Sequence, residues 1–209
     1  MKDLSAWLSE CPLIAILRGL PPEDAVAVGT ILYKAGFRII EVPLNSPDPF
    51  ASIAALSKHF GDRALIGAGT VIDPLAVKHV VQAGGHLVVT PHADVNIVHK
   101  AKVLGMIAIP GIATPTEAFS MIAAEADGLK LFPAEAYSPA VLRSLRAVLP
   151  PLVPVLPVGG IAAGDFAGWR KAGAAGFGIG SWLYKPGRGA KKIRARAEEL
   201  IVAWQDTLD

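Results

Sequence analysis

The stretch AGFRIIEVPL (residues 35–44) contains the pattern that decides the fold: a glycine follows an amphipathic segment and precedes a short apolar run. Glycine just past a helix can adopt the left-handed conformation that ends it. An apolar, β-branched run suits a strand that is buried on both faces. Further copies of this unit are AGGHLVVT (83–90), LGMIAIP (104–110), DGLKLF (127–132) and AGAAGFGIG (172–180). The repetition predicts helices that alternate with parallel strands.

Counting the apolar runs gives eight predicted strands, and most of the intervening segments have room for one helix. Eight βα units predict a (β/α)8 TIM barrel, preceded by a short N-terminal helix over residues 3–10. A doubly wound open sheet shows the same alternation and is the alternative. No linker divides the chain, so we expect one barrel domain over residues 1–209. The predicted strands lie near 13–17, 37–43, 64–68, 86–90, 106–109, 128–132, 153–157 and 176–179.

Composition excludes several classes of protein. The 209 residues are 52% hydrophobic and 18% charged, which is too apolar for intrinsic disorder. The net charge of +2 gives no electrostatic reason to expect nucleic acid as a partner. No membrane-spanning helix and no membrane partner are expected. The single cysteine, Cys11, excludes an internal disulfide and favours a cytoplasmic location.

One lysine and one carboxylate, Lys130 and Glu41, fall inside predicted strands. Lys130 lies between Leu129 and Leu131, which should point toward the helices and leave the amine pointing inward. Desolvation lowers the pKa of an amine and makes the neutral nucleophile available, so a Schiff-base lysine is one interpretation. A core lysine that reaches the rim is the other. Glu41, in the second strand, is either a general acid/base facing Lys130 or a buried ion-pair partner of Lys130 or Arg18.

Binding groups are predicted where strands end, because barrel active sites lie at the carboxyl ends of the strands. Arg18 closes the first strand and could hold an anion or be an exposed rim charge. Thr70, in GAGTV (67–71), could hydrogen-bond a substrate. Glycines in VGGI (158–161) and GIGS (178–181) follow the last two strands, where many barrels bind phosphate. Their alternative role is in tight turns.

Several other kinds of site are not indicated by the sequence. The five histidines show no metal-binding spacing, and no metal site or other cofactor is expected. There is no G-x-S-x-G elbow, Walker A loop or dinucleotide fingerprint. The last predicted helix begins near Ala190, and its charged residues are interpreted as a solvated face. They are Lys191, Lys192, Arg194, Arg196, Glu198 and Glu199.

Seven motifs, in order along nearly the whole chain, resemble the class I aldolases that act on 2-keto-3-deoxy-6-phosphogluconate and 2-keto-3-deoxy-6-phosphogalactonate. Each motif alone is weak, whereas seven in register are specific. They are PLIAILRG (12–19), EVPLNSP (41–47), GAGTV (67–71), VTP (89–91), LKLFPAEA (129–136), VGGI (158–161) and IGSWLY (179–184).

The resemblance implies a homotrimeric (β/α)8 barrel, a phosphorylated 2-keto-3-deoxy sugar acid as substrate, and a metal-free Schiff-base mechanism that releases pyruvate. The resemblance implies that Lys130 forms the imine with the substrate. It also implies that Glu41 transfers protons at C4 and C3 of the substrate. It implies that Arg18 and Thr70 hold the carboxylate. The phosphate-binding residues that it implies are Gly160, Gly180 and Ser181.

The resemblance also divides the family by substrate. Enzymes for the gluconate epimer typically read EVTLR and TGG, whereas those for the galactonate epimer read E-[IV]-PLNSP and VGG. Pro43, Asn45, Arg18 and Val158 match the galactonate pattern, and Val158 replaces a threonine that could contact the C4 hydroxyl. FPAEA (132–136) and His92 depart from it. The implied substrate is 2-dehydro-3-deoxy-6-phosphogalactonate.

Three rival functions stay open at this point. The chain could prefer the gluconate epimer or accept both epimers. A phosphate-binding isomerase or decarboxylase would use the same glycine loops, although it would not need an inward lysine opposite a glutamate. A barrel that binds a phosphorylated metabolite without catalysis would leave Lys130 unmodified by pyruvate and borohydride.

Overall fold

A computed structural model of the chain describes residues 2–207, in which strands and helices alternate as the sequence predicts. The strands are β1 (Leu13–Ile16), β2 (Ile39–Pro43), β3 (Leu65–Gly69), β4 (Leu87–Val89), β5 (Ile107–Ile109), β6 (Gly111–Ile112), β7 (Leu129–Leu131), β8 (Val155–Pro157) and β9 (Phe177–Ile179). The α-helices are α1 (Leu4–Glu10), α2 (Pro22–Ala35), α3 (Pro49–Phe60), α4 (Pro74–Gln82), α5 (Val95–Val103), α6 (Pro115–Ala123), α7 (Pro139–Arg146), α8 (Phe166–Lys171) and α9 (Ala190–Gln205). Short 3-10 turns lie at Gly61–Arg63, Ala134–Ala136 and Ala163–Asp165.

Local chemistry fixes where the helices begin. Asp73 caps α4 by accepting a hydrogen bond from the Leu75 amide. Thr114 caps α6 in a reciprocal capping box with Glu117. In each helix proline occupies the first position, where its missing N–H costs nothing.

The strands pair in parallel and form a curled sheet in two parts. One part has the order β5-β4-β3-β2-β1-β9 and the other has the order β6-β7-β8. Consecutive strands lie side by side and β1 contacts β9, without the reversal of order that marks a doubly wound sheet. A parallel bridge between Val158 and Gly178 joins the two parts. The expected α/β architecture is confirmed, but the strand ladder is not one continuous ring.

The fifth predicted strand continues as a second short strand, which the sequence analysis did not predict. Pro110 separates β5 from β6, and it has no N–H to donate to a ladder. Its carbonyl still accepts a hydrogen bond from the Lys130 amide, at 2.8 Å. The chain therefore pairs with β4 before Pro110 and with β7 after it.

Two apolar cores lie on the two faces of the curled sheet. The larger core packs the helices on one face, and the smaller core is built from strand residues on the other face. Leu4 and Trp7 of α1 join the smaller core, so the leading helix packs against that inner face. Within residues 2–207, none of the helices is long and apolar enough to cross a membrane.

Candidate active site

A cavity of about 740 Å³ opens at the carboxyl ends of the strands, where residues of β1, β2, β7 and β9 meet the loops that follow β1, β8 and β9. This volume suits a small metabolite. Seven of the eight residues predicted from the sequence line the cavity, and Thr70 contacts one of them. The seven are Arg18, Glu41, Lys130, Val158, Gly160, Gly180 and Ser181.

Lys130 is the middle residue of β7, and its side chain points into the cavity because its two neighbours point the other way. Leu129 and Leu131 are fully buried in the larger core, which confirms the predicted orientation. Only 5% of Lys130 is exposed, and its Nζ lies 4.6 Å from the centre of the Phe132 ring. Burial lowers the pKa of the Lys130 amine, the charge of Glu41 opposes that shift, and Arg18 adds to it. The neutral amine is thereby made more available.

Glu41 lies in β2 and is 2% exposed. Burial raises the pKa of this carboxyl to about 7, although the charges of Lys130 and Arg18 act in the opposite direction. Its Oε2 has no hydrogen-bond partner. The ion pairs among the described residues do not include one between Glu41 and either cation. Glu41 is therefore placed to exchange a proton with a molecule in the cavity.

Gly69 leaves the space that the Glu41 carboxylate occupies. A Cβ at position 69 would lie 1.2 Å from Oε2 of Glu41, so any side chain there would displace the carboxylate. The glycine belongs to the GAGTV motif, in which only Thr70 was singled out from the sequence. Its role follows from the pairing of β2 with β3, which brings position 69 beside the carboxylate.

Arg18 is fixed in direction by two neighbouring loops. Its guanidinium donates one hydrogen bond to Oδ1 of Asn45 at 2.5 Å and one to Oγ1 of Thr70 at 3.2 Å. The next amide, that of Gly19, donates to the Ser46 hydroxyl at 2.9 Å. Asn45 and Ser46 belong to the PLNSP segment, so this segment holds the guanidinium at the rim. Thr70 itself has a φ of 54°, in the left-handed region.

The two glycine loops differ in backbone conformation. Gly159 and Gly160 have φ values of 108° and 68°, in the region that favours glycine, so a tight turn requires glycine at these two positions. Gly180 has no such φ, and a Cβ there would approach only Ile16, at 3.9 Å. The backbone at Gly180 and Ser181 therefore faces open space in the cavity, where an anion could approach its amides.

Two arginines in the cavity wall were missed in the sequence analysis. Arg196 was interpreted as part of a solvated face, and that interpretation is wrong because its side chain lines the cavity beside Arg188. The signal was present in the spacing of α9. Arg196 follows Ile193 by three residues and precedes Leu200 by four, and both of these residues are buried.

The site agrees with comparisons to known proteins. The sequence profile of the family described as KDPG and KHG aldolase matches residues 4–196. The chain belongs to this family. Rhizobium meliloti has a protein called probable 2-dehydro-3-deoxy-6-phosphogalactonate aldolase that is 45% identical over 93% of this chain and 92% of its own length. The Escherichia coli protein called 2-dehydro-3-deoxy-6-phosphogalactonate aldolase is 42% identical over 97% and 98%.

A solved structure titled "Native KDPGal structure" has a TM-score of 0.94 to this chain. Its sequence is 41% identical, and the match covers 95% of this chain and 97% of that one. Membership of the KDPG and KHG aldolase family makes the chain a carbon–carbon lyase. This membership excludes the isomerase and decarboxylase alternatives. Within residues 2–207, no three His, Cys, Asp or Glu side chains lie close enough together to hold a metal ion.

Proposed function

We propose that this aldolase cleaves 2-dehydro-3-deoxy-6-phosphogalactonate to pyruvate and D-glyceraldehyde 3-phosphate through a Schiff base on Lys130. The observation that carries the proposal is a buried lysine, with a lowered pKa, that shares one cavity with a buried carboxyl. An amine nucleophile and a general acid/base are what imine chemistry requires. The names of the Rhizobium and Escherichia relatives support the choice of substrate.

The first step joins Lys130 to the substrate. The neutral Nζ attacks the C2 ketone, a carbinolamine forms, and loss of water gives a protonated imine. Burial of the amine favours this attack because it lowers the cost of removing the proton from the ammonium ion. The resulting cation is the electron sink for the next step.

The second step breaks the C3–C4 bond. Glu41, acting through a bridging water, takes the proton of the C4 hydroxyl, and the bonding electrons move into the imine to give an enamine. Glyceraldehyde 3-phosphate leaves with the new C4 aldehyde. Glu41 then returns a proton to C3, and water hydrolyses the imine to free pyruvate and the Lys130 amine. A carboxyl with a pKa of about 7 suits both proton transfers near neutral pH.

The two anionic groups of the substrate are assigned to loops that follow different strands. Arg18 and Thr70 lie at the ends of β1 and β3, where they would hold the carboxylate. Gly160, Gly180 and Ser181 lie after β8 and β9, where they would bind the 6-phosphate. The support for this assignment is the guanidinium held by Asn45 and Thr70 and the open backbone at Gly180.

Selectivity at C4 provides the test of the proposed substrate. Val158 lines the cavity and has no hydroxyl to offer the C4 group. We expect coupled pyruvate release from the two purified 6-phosphate epimers to favour the galactonate epimer by at least about tenfold in kcat/KM, about 1.4 kcal/mol. Val158→Thr should move this ratio toward the gluconate epimer by about tenfold. Val148→Thr is the control because Val148 is exposed and lies outside the cavity lining.

The other outcomes of this assay select the alternatives. Preference for the gluconate epimer would mean that FPAEA or His92 outweighs Val158, and comparable rates would mean a relaxed C4 pocket. His92 lies on the loop after β4, outside the cavity lining, and its Nε2 is 3.8 Å from Oδ2 of Asp94. No pyruvate from either epimer would favour a binding protein without catalysis.

The two parts of the sheet together suit a closed barrel. We infer a closed (β/α)8 barrel that occupies residues 1–209 as a single domain. Two features support closure: β5 and β6 are separated by one residue, and the Val158–Gly178 bridge links β8 to β9. A crystal structure with an open gap at either place would contradict it.

We also propose a cytoplasmic location for the protein. The support is its single cysteine, Cys11, whose thiol is free and buried.

A homotrimer is the proposed assembly. Large apolar side chains are exposed along the neighbouring helices α4, α5 and α6 and the loop before α4, which suits contact with further copies of the chain. We expect sedimentation equilibrium to give three times the 21.8 kDa mass of one chain. A mass equal to one chain at micromolar concentration would contradict the trimer. The exposed side chains are Ile72, Leu75, Val81, Val95, Val103 and Phe119.

A further inference from the structure

The wall of the cavity that follows β9 carries more positive charge than the proposed chemistry uses. Arg188 and Arg196 line this wall with Lys185. Across the rest of the cavity, Lys130 and Arg18 add positive charge and Glu41 is the one carboxylate among the lining residues of the described chain. The wall is therefore cationic, and within residues 2–207 none of its three cations is held in an ion pair.

Two of these cations converge on a single backbone carbonyl. The guanidinium of Arg188 donates to the Trp182 carbonyl at 2.6 Å and to the Ser181 carbonyl at 3.2 Å. Arg196 donates to the same Trp182 carbonyl, and its guanidinium lies 4.7 Å from the centre of the Trp182 ring. Two like charges that share one neutral acceptor repel each other. The pKa of Arg188 is lowered mainly by desolvation, and the charge of Arg196 adds a smaller effect in the same direction.

The arginine pair is held beside the loop that faces the cavity. Leu183 and Tyr184 are buried and anchor the segment between β9 and α9, and both of their amides donate to the Gly180 carbonyl. The same segment packs its Pro186 against Gly19, so closely that a Cβ at Gly19 would lie 2.7 Å from the proline ring. The arginines are therefore positioned by a packed segment next to Ser181.

We propose that Arg188 and Arg196 form a charged clamp that recognises the phosphoryl group of the substrate, with Lys185 adding to the attraction. The inference rests on the proposed function, because it adds a specificity determinant to the phosphate end of that site. Arginine presents a planar fork that matches two phosphate oxygens. A phosphate dianion between the two guanidiniums removes their repulsion, whereas an unphosphorylated substrate leaves it in place. The glycine amides position the phosphate and the arginines select for its charge.

The test compares charge removal inside and outside the cavity on a phosphorylated and an unphosphorylated substrate. We expect Arg188→Met and Arg196→Met each to raise KM for the 6-phosphorylated substrate by about tenfold or more. KM for the same sugar acid without phosphate should change less than about twofold. Arg194→Met is the matched control, since it removes one positive charge from an exposed position of α9 and should change neither KM. Inorganic phosphate should inhibit the wild-type enzyme competitively and the Arg188 variant about tenfold more weakly.

Each variant is also treated with pyruvate and borohydride, which reports an intact Lys130 site without using the phosphate. Arg196→Lys is a second variant, needed if loss of the Trp182 contact unfolds the loop. It keeps the positive charge but lacks the planar guanidinium. Equal increases of KM for both substrates, or effects no larger than those of Arg194→Met, would overturn the clamp. If the wild-type protein neither traps pyruvate nor cleaves either substrate, the proposed function itself has failed.

Discussion

Lys130→Met is expected to lower kcat/KM for aldol cleavage by more than about 10⁴-fold, which corresponds to more than about 5 kcal/mol of transition-state stabilisation. Methionine fills a similar volume among Phe132 and the strand ends, but it offers no nucleophile for the C2 ketone. Without the imine there is no cation to accept the electrons of the C3–C4 bond. The measurement is coupled pyruvate release, together with mass spectrometry after treatment with pyruvate and borohydride.

The control for this variant is Lys78→Met, which removes a lysine from an exposed position of α4. Wild-type protein and Lys78→Met should gain the mass of a reduced pyruvate adduct, whereas Lys130→Met should gain none. Pyruvate release that persists in Lys130→Met would exclude the Schiff-base role. A wild-type protein that is not trapped would favour the binding protein without catalysis.

The same substitution is expected to keep the fold, so loss of activity will not reflect unfolding. A buried amine costs desolvation free energy, and an apolar side chain of similar length avoids that cost. Lys130 lowers the pKa of Glu41, so removing the amine lets the carboxyl stay protonated and neutral to a higher pH. The melting temperature of Lys130→Met should therefore equal or exceed that of the wild type near pH 7.

The sequence was sufficient to predict the order of the fold because the strands are buried on both faces. Such strands have near-continuous apolar sequences, as in LVV (87–89), and a charged residue inside one of them is conspicuous. Lys130 and Glu41 could be found for this reason, and their orientation followed from the alternation of neighbours along a strand. Helix starts at Asp73 and Thr114 depend on local hydrogen bonds, which a sequence also reveals.

Features that depend on contacts between distant segments could not be predicted in the same way. The need for glycine at position 69 arises from the carboxylate of Glu41 on the next strand. The convergence of Arg188 and Arg196 on the Trp182 carbonyl requires the loop after β9 to fold back beside α9. The division of the sheet at Pro110 combines a local cause, the missing N–H, with a change of partner strand that only the register reveals.

Glu41→Gln is expected to lower kcat by about 10²–10⁴-fold, the usual contribution of a positioned general acid/base. The amide has nearly the same shape but cannot take the proton of the C4 hydroxyl or return one to C3. Lys130 keeps its amine, so pyruvate should still be trapped by borohydride in this variant. Loss of trapping as well as turnover would mean that Glu41 acts chiefly through the structure of the cavity. Glu199→Gln, at an exposed position of α9, is the control.

The pH profile separates proton transfer by Glu41 from a purely structural role. As a base Glu41 must be ionised, so wild-type kcat/KM should rise as pH increases through about 7, where this carboxyl titrates. The lowered pKa of Lys130 adds to the rise because more of the amine is neutral. In Glu41→Gln the rise of kcat/KM near pH 7 should disappear. Only the rise due to deprotonation of the Lys130 amine should remain. An unchanged limb in the variant would assign it to another group.

Stability against pH provides an independent measurement of the same carboxyl. Burial raises the pKa of Glu41 from 4.5 to about 7, so between these values the folded state holds a proton that the unfolded state has lost. The contribution of Glu41 to stability is therefore complete below about pH 4.5 and is lost as pH rises through about 7. At pH 8 the ionised carboxylate destabilises the fold by about 3 kcal/mol at most. Glu41→Gln should thus unfold at higher denaturant concentration than the wild type at pH 8, with a smaller difference at pH 5. A difference that does not depend on pH would mean that the carboxyl is not desolvated.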